Sequence, residues 1–184
     1  KEQVLSFGQL HVEVQRMAAV LQSMGVSKGD RVLIYMPMIP QAVIAMLATV
    51  RIGAIHCVVF GGFASQALAS RIDDACPTVI VTADAGMRGG KVIPYKPLLD
   101  EALKLSTHKV SHVVLVNRGL APAEMITPRD VDYALARKLH MDAMVPCEWV
   151  ESTHPSYILY TSGTTGKPKG VQRDTGGYAV ALAA

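Results

Sequence analysis

Several strong signals are missing from this sequence, and each absence excludes something. Cysteine is scarce: Cys57, Cys76 and Cys147 are an odd set with no CxxC spacing among 184 residues. Their apolar or proline-flanked surroundings make all three read as reduced core thiols, which suits a cytoplasmic protein. Basic charge is equally thin, since a net +3 without any run of Lys or Arg gives no stripe for nucleic acid. The chain has no basic segment leading into a short apolar one, no lipidation signal, no internal repeat and no low-complexity tract. Neither GxSxG nor HExxH occurs, so the usual hydrolase and zinc-protease chemistries have no carrier. The six histidines are scattered, and His56 and His112, in or beside apolar runs, read as hydrogen-bonded structural residues rather than catalysts.

What the chain does have is apolar content. With 50% hydrophobic and 18% charged residues it can bury a substantial core, which excludes disorder. One run, "IPQAVIAMLATVRIGAIHCVVF" at 39–60, is long enough to cross a membrane. Gln41, Arg51 and His56 are spread along it and Gly53 divides it, so it reads instead as a buried helix over 40–52 and a buried strand over 54–60. Pro40 suits a first helical position, where its missing N–H costs nothing.

Periodicity organises the rest. Ser6 and Gln9 have capping-box spacing, Leu5 and Leu10 staple spacing, and Leu10, Val14, Met17, Ala18 and Leu21 recur on one helical face until Gly25 ends it. Strands are expected at 31–36, 54–60, 78–82, 112–117 and 157–160, and helices at 40–52, 65–75, 94–105 and 130–141. The stretch 117–130 reads as a surface excursion. Strand runs that are apolar throughout, alternating with helices, predict an α/β fold: a doubly wound, mostly parallel sheet with helices on both faces. Ligands of such sheets sit beyond the carboxyl ends of the strands. Three strand ends carry unusual chemistry here: "FGGF" from residue 60, "ADAGMRGGK" from 83, and "TSGTTGKPKG" from 161. Parallel strands would set all three loops on one edge.

The third loop has the materials of a phosphate site but not the Walker A pattern, because Lys167 is followed by Pro168 rather than Ser or Thr. Gly163, Gly166 and Gly170 allow close backbone approach and positive φ. Successive N–H groups in such a turn make an anion nest. Thr161, Ser162, Thr164 and Thr165 add hydroxyl donors, and Lys167 and Lys169 add charge. A plain polar hairpin tip would not call for so dense a donor set after a buried strand. In the second loop, Arg88 offers a bidentate fork and Lys91 a point charge, with Gly89 and Gly90 admitting a ligand closely.

"YTSGTTGKPKG" closely resembles the phosphate-binding signature of the adenylate-forming enzymes, the group that contains the acyl-CoA synthetases. "GDRVLIYMPMIPQAVIAMLATVRIGAIHCVVFGGF" and "TADAGMRGGK" resemble the short-chain branch, the acetate– and propionate–CoA ligases, and "VQRDTGGYAVAL" is more similar to the propionate side. The resemblance runs almost end to end. It implies a two-step ligase: a carboxylate attacks the α-phosphorus of ATP, accompanied by Mg2+, and coenzyme A then takes the acyl group. It also implies that Thr161, Ser162, Gly163, Thr164, Thr165, Gly166, Lys167, Lys169 and Gly170 handle ATP phosphates, while Phe60, Gly61 and Gly62, with Arg88, Gly89, Gly90 and Lys91, handle coenzyme A. Lys91 stands where the family often has a second arginine.

The adenine and carboxylate pockets, the hinge and the mobile C-terminal domain follow the phosphate loop in this family. Residues 1–184 therefore read as part of an N-terminal domain, cut from a longer protein, holding no catalytic residue and no metal ligand of its own and inactive alone. The partners expected are small-molecule substrates, with neither nucleic acid nor membrane. The rival readings are an acetate–CoA ligase, a non-catalytic nucleotide- or CoA-binding module, and a plain flavodoxin-like domain. The last is disfavoured because the phosphate loop follows the last expected strand rather than the first.

Overall fold

The computed structural model describes residues 4–161 and 168–184. Helix α1 (Phe7–Ser23) starts at the expected capping box: Gln9 N–H donates to Ser6 Oγ at 3.2 Å, and Ser6 N–H donates to Gln9 Oε1 at 2.8 Å. Gly25 follows its end at φ +84°, a conformation that costs glycine least. Then come β1 (Arg31–Tyr35), α2 (Pro40–Arg51), β2 (Ile55–Val59), α3 (Ser65–Ala75) and β3 (Val79–Ala83). No helix among the described residues is long and apolar enough to cross a membrane, and the 39–60 run does split into helix and strand.

After β3 the chain departs from expectation. The "GMRGGK" segment is not a simple loop but an antiparallel hairpin, β4 (Ala85–Arg88) and β5 (Lys91–Pro94). Helix α4 (Tyr95–Leu105) and β6 (His112–Val116) follow as foreseen. The helix expected over 130–141 is shorter. Asp130–Asp132 form strand β7, and α5 (Tyr133–Leu139) begins where the Asp132 side chain accepts the Leu135 N–H at 2.9 Å. Strand β8 (Pro155–Thr161) is not the last either. It pairs antiparallel with β9 (Lys169–Asp174), and α6 (Thr175–Ala183) ends the chain.

The seven-stranded sheet has the order β7-β6-β3-β1-β2-β8-β9, with every pair parallel except β8–β9. Alternate residues of each strand feed opposite faces. Val32 and Ile34 of β1 pack with Met17 and Leu21 of α1, Ile44 and Ala48 of α2 and Ala136 of α5. Leu33 and Tyr35 face the other way, toward Leu68 and Ile72 of α3 and Leu99 and Ala102 of α4. Helices thus cover both faces, as the uninterrupted apolar runs require. Arg31 ties the entrance of β1 to the end of α3, donating from Nε to the Ala75 carbonyl and from Nη2 to that of Cys76, each at 2.9 Å.

The thiols are free, but only Cys57 is buried; Cys76 is half-buried and Cys147 exposed. The core-thiol expectation therefore holds at one position, since Cys147 lies exposed in an irregular segment. The histidine expectation is also corrected in part. His108 and His154 reach backbone carbonyls of Pro77 and Gly53, each at 2.9 Å, whereas the Nδ1 atoms of His56 and His112 are buried without a partner. His56 is held by stacking on Tyr157, with ring centroids 5.5 Å apart, and its burial pulls its pKa down to about 4.

Candidate functional site

Because β1, β2, β3, β6 and β8 run parallel, their carboxyl ends share one edge, and the three chemically unusual loops follow β2, β3 and β8 there. A cleft of about 820 Å³ opens at this edge. Phe60, Gly61, Gly62 and Phe63 from the turn after β2 line it, with Met87 and Arg88 from β4, Tyr95 from α4 and Arg118 after β6.

Close packing brings the turn and the hairpin together. A Cβ on Gly62 would stand 3.1 Å from Arg88 Nη1 and 2.3 Å from Phe60 Cε1. On Gly61 it would stand 2.3 Å from the Tyr95 hydroxyl, and on Gly86 2.7 Å from the same oxygen. The glycines of this edge thus leave room for Tyr95 and Arg88 rather than for loop bending. Burial pushes the Tyr95 phenol up, partly offset by the nearby Arg118 and Arg88 cations. The tyrosine therefore stays neutral near pH 7 between two permanent charges.

Other expected residues sit apart. Gly89 and Gly90, at φ +55° and +76°, form the β4–β5 turn, where two successive positive φ values favour glycine. A Cβ on either would meet nothing within 4 Å, so conformation rather than crowding explains them. Lys91 pairs across that turn with Arg88 and is exposed, outside the cleft lining. In the phosphate loop, Ser162, Gly163, Thr164, Thr165, Gly166 and Lys167 lie outside the described residues. Their stems are described: Thr161 pairs with Lys169, and Tyr160 with Gly170. The described flanks, β8 and β9, are thus antiparallel neighbours.

Sequence reasoning missed Tyr95 and Arg118. The signal for Arg118 was available, a cation two residues past a buried strand. Its Nη1 donates to the Ala85 carbonyl at 3.1 Å, linking the β6 exit to the hairpin base. Asp84 fastens the same junction. Its buried side chain accepts from the Leu120 N–H at 2.7 Å, and its carbonyl accepts from Tyr95 N–H at 2.9 Å. Burial alone would raise the Asp84 pKa, but the N–H groups of Leu120, Ala85, Arg118 and Ala121 outweigh it and hold the carboxylate ionised.

Among the described residues, no group of three or more His, Cys, Asp or Glu could hold a metal ion. Chemically, the edge offers two guanidinium groups, an apolar floor and a glycine turn. Such a set suits an extended anionic ligand with an apolar or aromatic portion.

The AMP-binding enzyme family matches residues 1–184. The chain is 62% identical over 183 residues to the propionate–CoA ligase of Escherichia coli, covering 100% of this chain and 29% of that protein. It is 51% identical over 181 residues to the acetyl-coenzyme A synthetase of Methylorubrum populi, covering 98% of this chain and 28% of that one. Among solved structures, the acetoacetyl-CoA synthetase from Streptomyces lividans superposes with a TM-score of 0.88 at 30% identity, over 98% of this chain and 27% of its own. The chain thus spans somewhat under a third of the length of these relatives.

Proposed function

Because the chain belongs to the AMP-binding enzyme family, we propose that it is part of the N-terminal domain of a short-chain acyl-CoA synthetase, acting on propionate. The whole enzyme would join propionate to ATP, release pyrophosphate, and pass the acyl group from the adenylate to the thiol of coenzyme A. The observation that carries the reading is the meeting of Arg88 with the Phe60–Gly62 turn in one cleft at the carboxyl edge. The loop after β8 leaves the same edge. The propionate preference draws its support from the 62% and 61% identities to propionate–CoA ligases of Escherichia coli and Salmonella typhimurium, against 51% to the acetyl-coenzyme A synthetase.

The first step needs no protein nucleophile, since the substrate carboxylate attacks. Catalysis then consists of positioning and of neutralising phosphate charge. Thr161 and Lys169 at the stem, with the hydroxyls, amides and Lys167 of the intervening loop, would grip the outer phosphates without a Walker-type metal ligand. With no metal-holding cluster among the described residues, the magnesium that travels with ATP is assigned no ligand from them. Arg88 would form a charge-assisted contact to a coenzyme A phosphate, and the exposed Lys91 would add longer-range attraction. The adenine and carboxylate pockets that the family resemblance sets after the phosphate loop would come from residues outside this sequence. The isolated chain would then be inactive.

The test separates the half-reactions in the full-length enzyme. Losing one charge-assisted contact is worth about 1.5–3 kcal/mol. Arg88→Ala should therefore slow the CoA-dependent step roughly ten- to a hundredfold while propionate-dependent ATP–pyrophosphate exchange stays near wild type. An equal loss in both half-reactions would contradict the assignment. Acid-dependent turnover by the pure 184-residue chain would contradict the expectation that it is inactive.

A further inference from the structure

Arg71 of α3 is a buried cation that the proposed chemistry does not use. It is 7% exposed and takes part in none of the ion pairs among the described residues. Its Nη1 donates to the Ala67 carbonyl at 2.6 Å, and its Nε is buried without a partner. What it has instead is two aromatic faces. The guanidinium carbon lies 3.9 Å from the ring centre of Phe63 and 5.2 Å from that of Tyr160.

Those two rings come from separate segments at the carboxyl edge, the turn after β2 and the end of β8. Phe63 lines the cleft and packs edge-on against Phe60, with centroids 5.8 Å apart, while its carbonyl accepts from the Tyr35 hydroxyl at 3.2 Å. Tyr160 pairs with Gly170 at the stem of the phosphate loop, and its hydroxyl donates to Asp74 Oδ2 at 2.7 Å. Residues 63 and 160 are 97 positions apart in sequence, and Arg71 is the group that lies against both rings. A side chain that merely filled this space would be apolar, since burying an unpaired guanidinium carries a desolvation cost that an apolar group avoids. The cation adds directional attraction to two ring faces, strongest where water is excluded.

We propose that Arg71 is a positioning residue that fixes the stem of the phosphate loop against the Phe60–Phe63 turn. The sites for the nucleotide phosphates and for the thiol carrier are thereby set at one spacing. This rests on the acyl-CoA synthetase reading, which assigns the two ligands to those loops.

The experiment uses the full-length enzyme and titrates ATP and coenzyme A separately by calorimetry, with propionate-dependent ATP–pyrophosphate exchange and thermal melting alongside. Arg71→Met should weaken both ligands together, each by about five- to thirtyfold, the range expected from a desolvated cation–aromatic contact. Arg71→Lys, which keeps the charge, should recover a large part of both. Two further variants carry the test if Arg71→Met does not fold. Phe63→Leu should weaken ATP as well as coenzyme A, and Tyr160→Leu should weaken coenzyme A as well as ATP. A fall in melting temperature or in the fraction of active sites, with both dissociation constants unchanged, overturns the inference. So does an effect of each aromatic variant confined to its own ligand. Absence of acid-dependent exchange in the unaltered enzyme refutes the ligase reading instead, while the paired shifts in ATP and coenzyme A affinity still decide the role of Arg71.

Discussion

Gly61→Ala is a one-methyl change whose cost follows from the geometry. The new Cβ would lie 2.3 Å from the Tyr95 hydroxyl, 2.6 Å from its Cζ and 2.8 Å from its Cε2. None of these separations is tolerable, so the ring must move. It has little room: Tyr95 is 8% exposed, its ring lies 5.1 Å from that of Tyr35, and Gly86 also lies close to its hydroxyl. Overpacking of this kind costs about 1–3 kcal/mol. For a chain of this size, that corresponds to a fall in melting temperature of roughly 2–12 °C. The displaced ring also lines the cleft, so coenzyme A binding should weaken in the full-length enzyme even though Gly61 itself carries no charge. Thermal melts of Gly61→Ala, Tyr95→Phe and the double variant form the assay. Removing the hydroxyl takes away the shortest contact, so the double variant should lose less stability than the two single losses added together. Wild-type stability in Gly61→Ala, or strict additivity in the double variant, would refute the claim that this glycine exists to admit Tyr95.

Two further predictions concern stability. His56 has a folded pKa of about 4 against an ordinary value of 6.5. The neutral ring's contribution is thus complete above about pH 6.5 and lost as pH falls toward 4, at about 1.4 kcal/mol per unit within that window. His56→Phe should flatten the urea midpoint between those pH values, and an unchanged pH profile would show that other groups set it. Lys96, fully buried, lies 2.8 Å from Asp130 and 2.6 Å from Asp100, with Arg129 bridging the same two carboxylates. Lys96→Met should cost about 3 kcal/mol in urea denaturation, near the low end for a broken buried pair because Arg129 remains. A loss under about 1 kcal/mol would mean that the guanidinium alone satisfies both acids.

Legibility in the sequence followed burial. The five foreseen strands announced themselves through largely apolar runs that the sheet and its helices bury, as in "VLIY" of β1 and "VVLV" of β6. The missed strands lack that signature. β9, "KGVQRD", is an exposed edge, and the residues of the β4–β5 hairpin are largely exposed beyond Gly86. β7 is three residues long and merges in sequence with the helix after it, although Asp132 as a helix cap marked the boundary. At the site, the rule that ligands gather at strand carboxyl ends brought out Arg88 and the Phe60–Gly62 turn. Tyr95 and Arg71 escaped because their roles depend on tertiary closeness, a ring fitted between two glycines and a cation between two distant aromatics. No spacing in the chain encodes either.

In the proposed function, the "TSGTTGKPKG" loop handles the phosphates of ATP for a carboxylate-activating ligase. The decisive assay is propionate-dependent ATP–pyrophosphate exchange by full-length Gly163→Val and Gly166→Val, with circular dichroism to confirm the fold. Branched side chains would block close approach and positive φ. Exchange should therefore fall by about a hundredfold or more with an unchanged spectrum, as misplacement of a reacting group by an ångström does. Full exchange activity in both variants would show that the loop does not hold the phosphates, and the proposed function would fall with it.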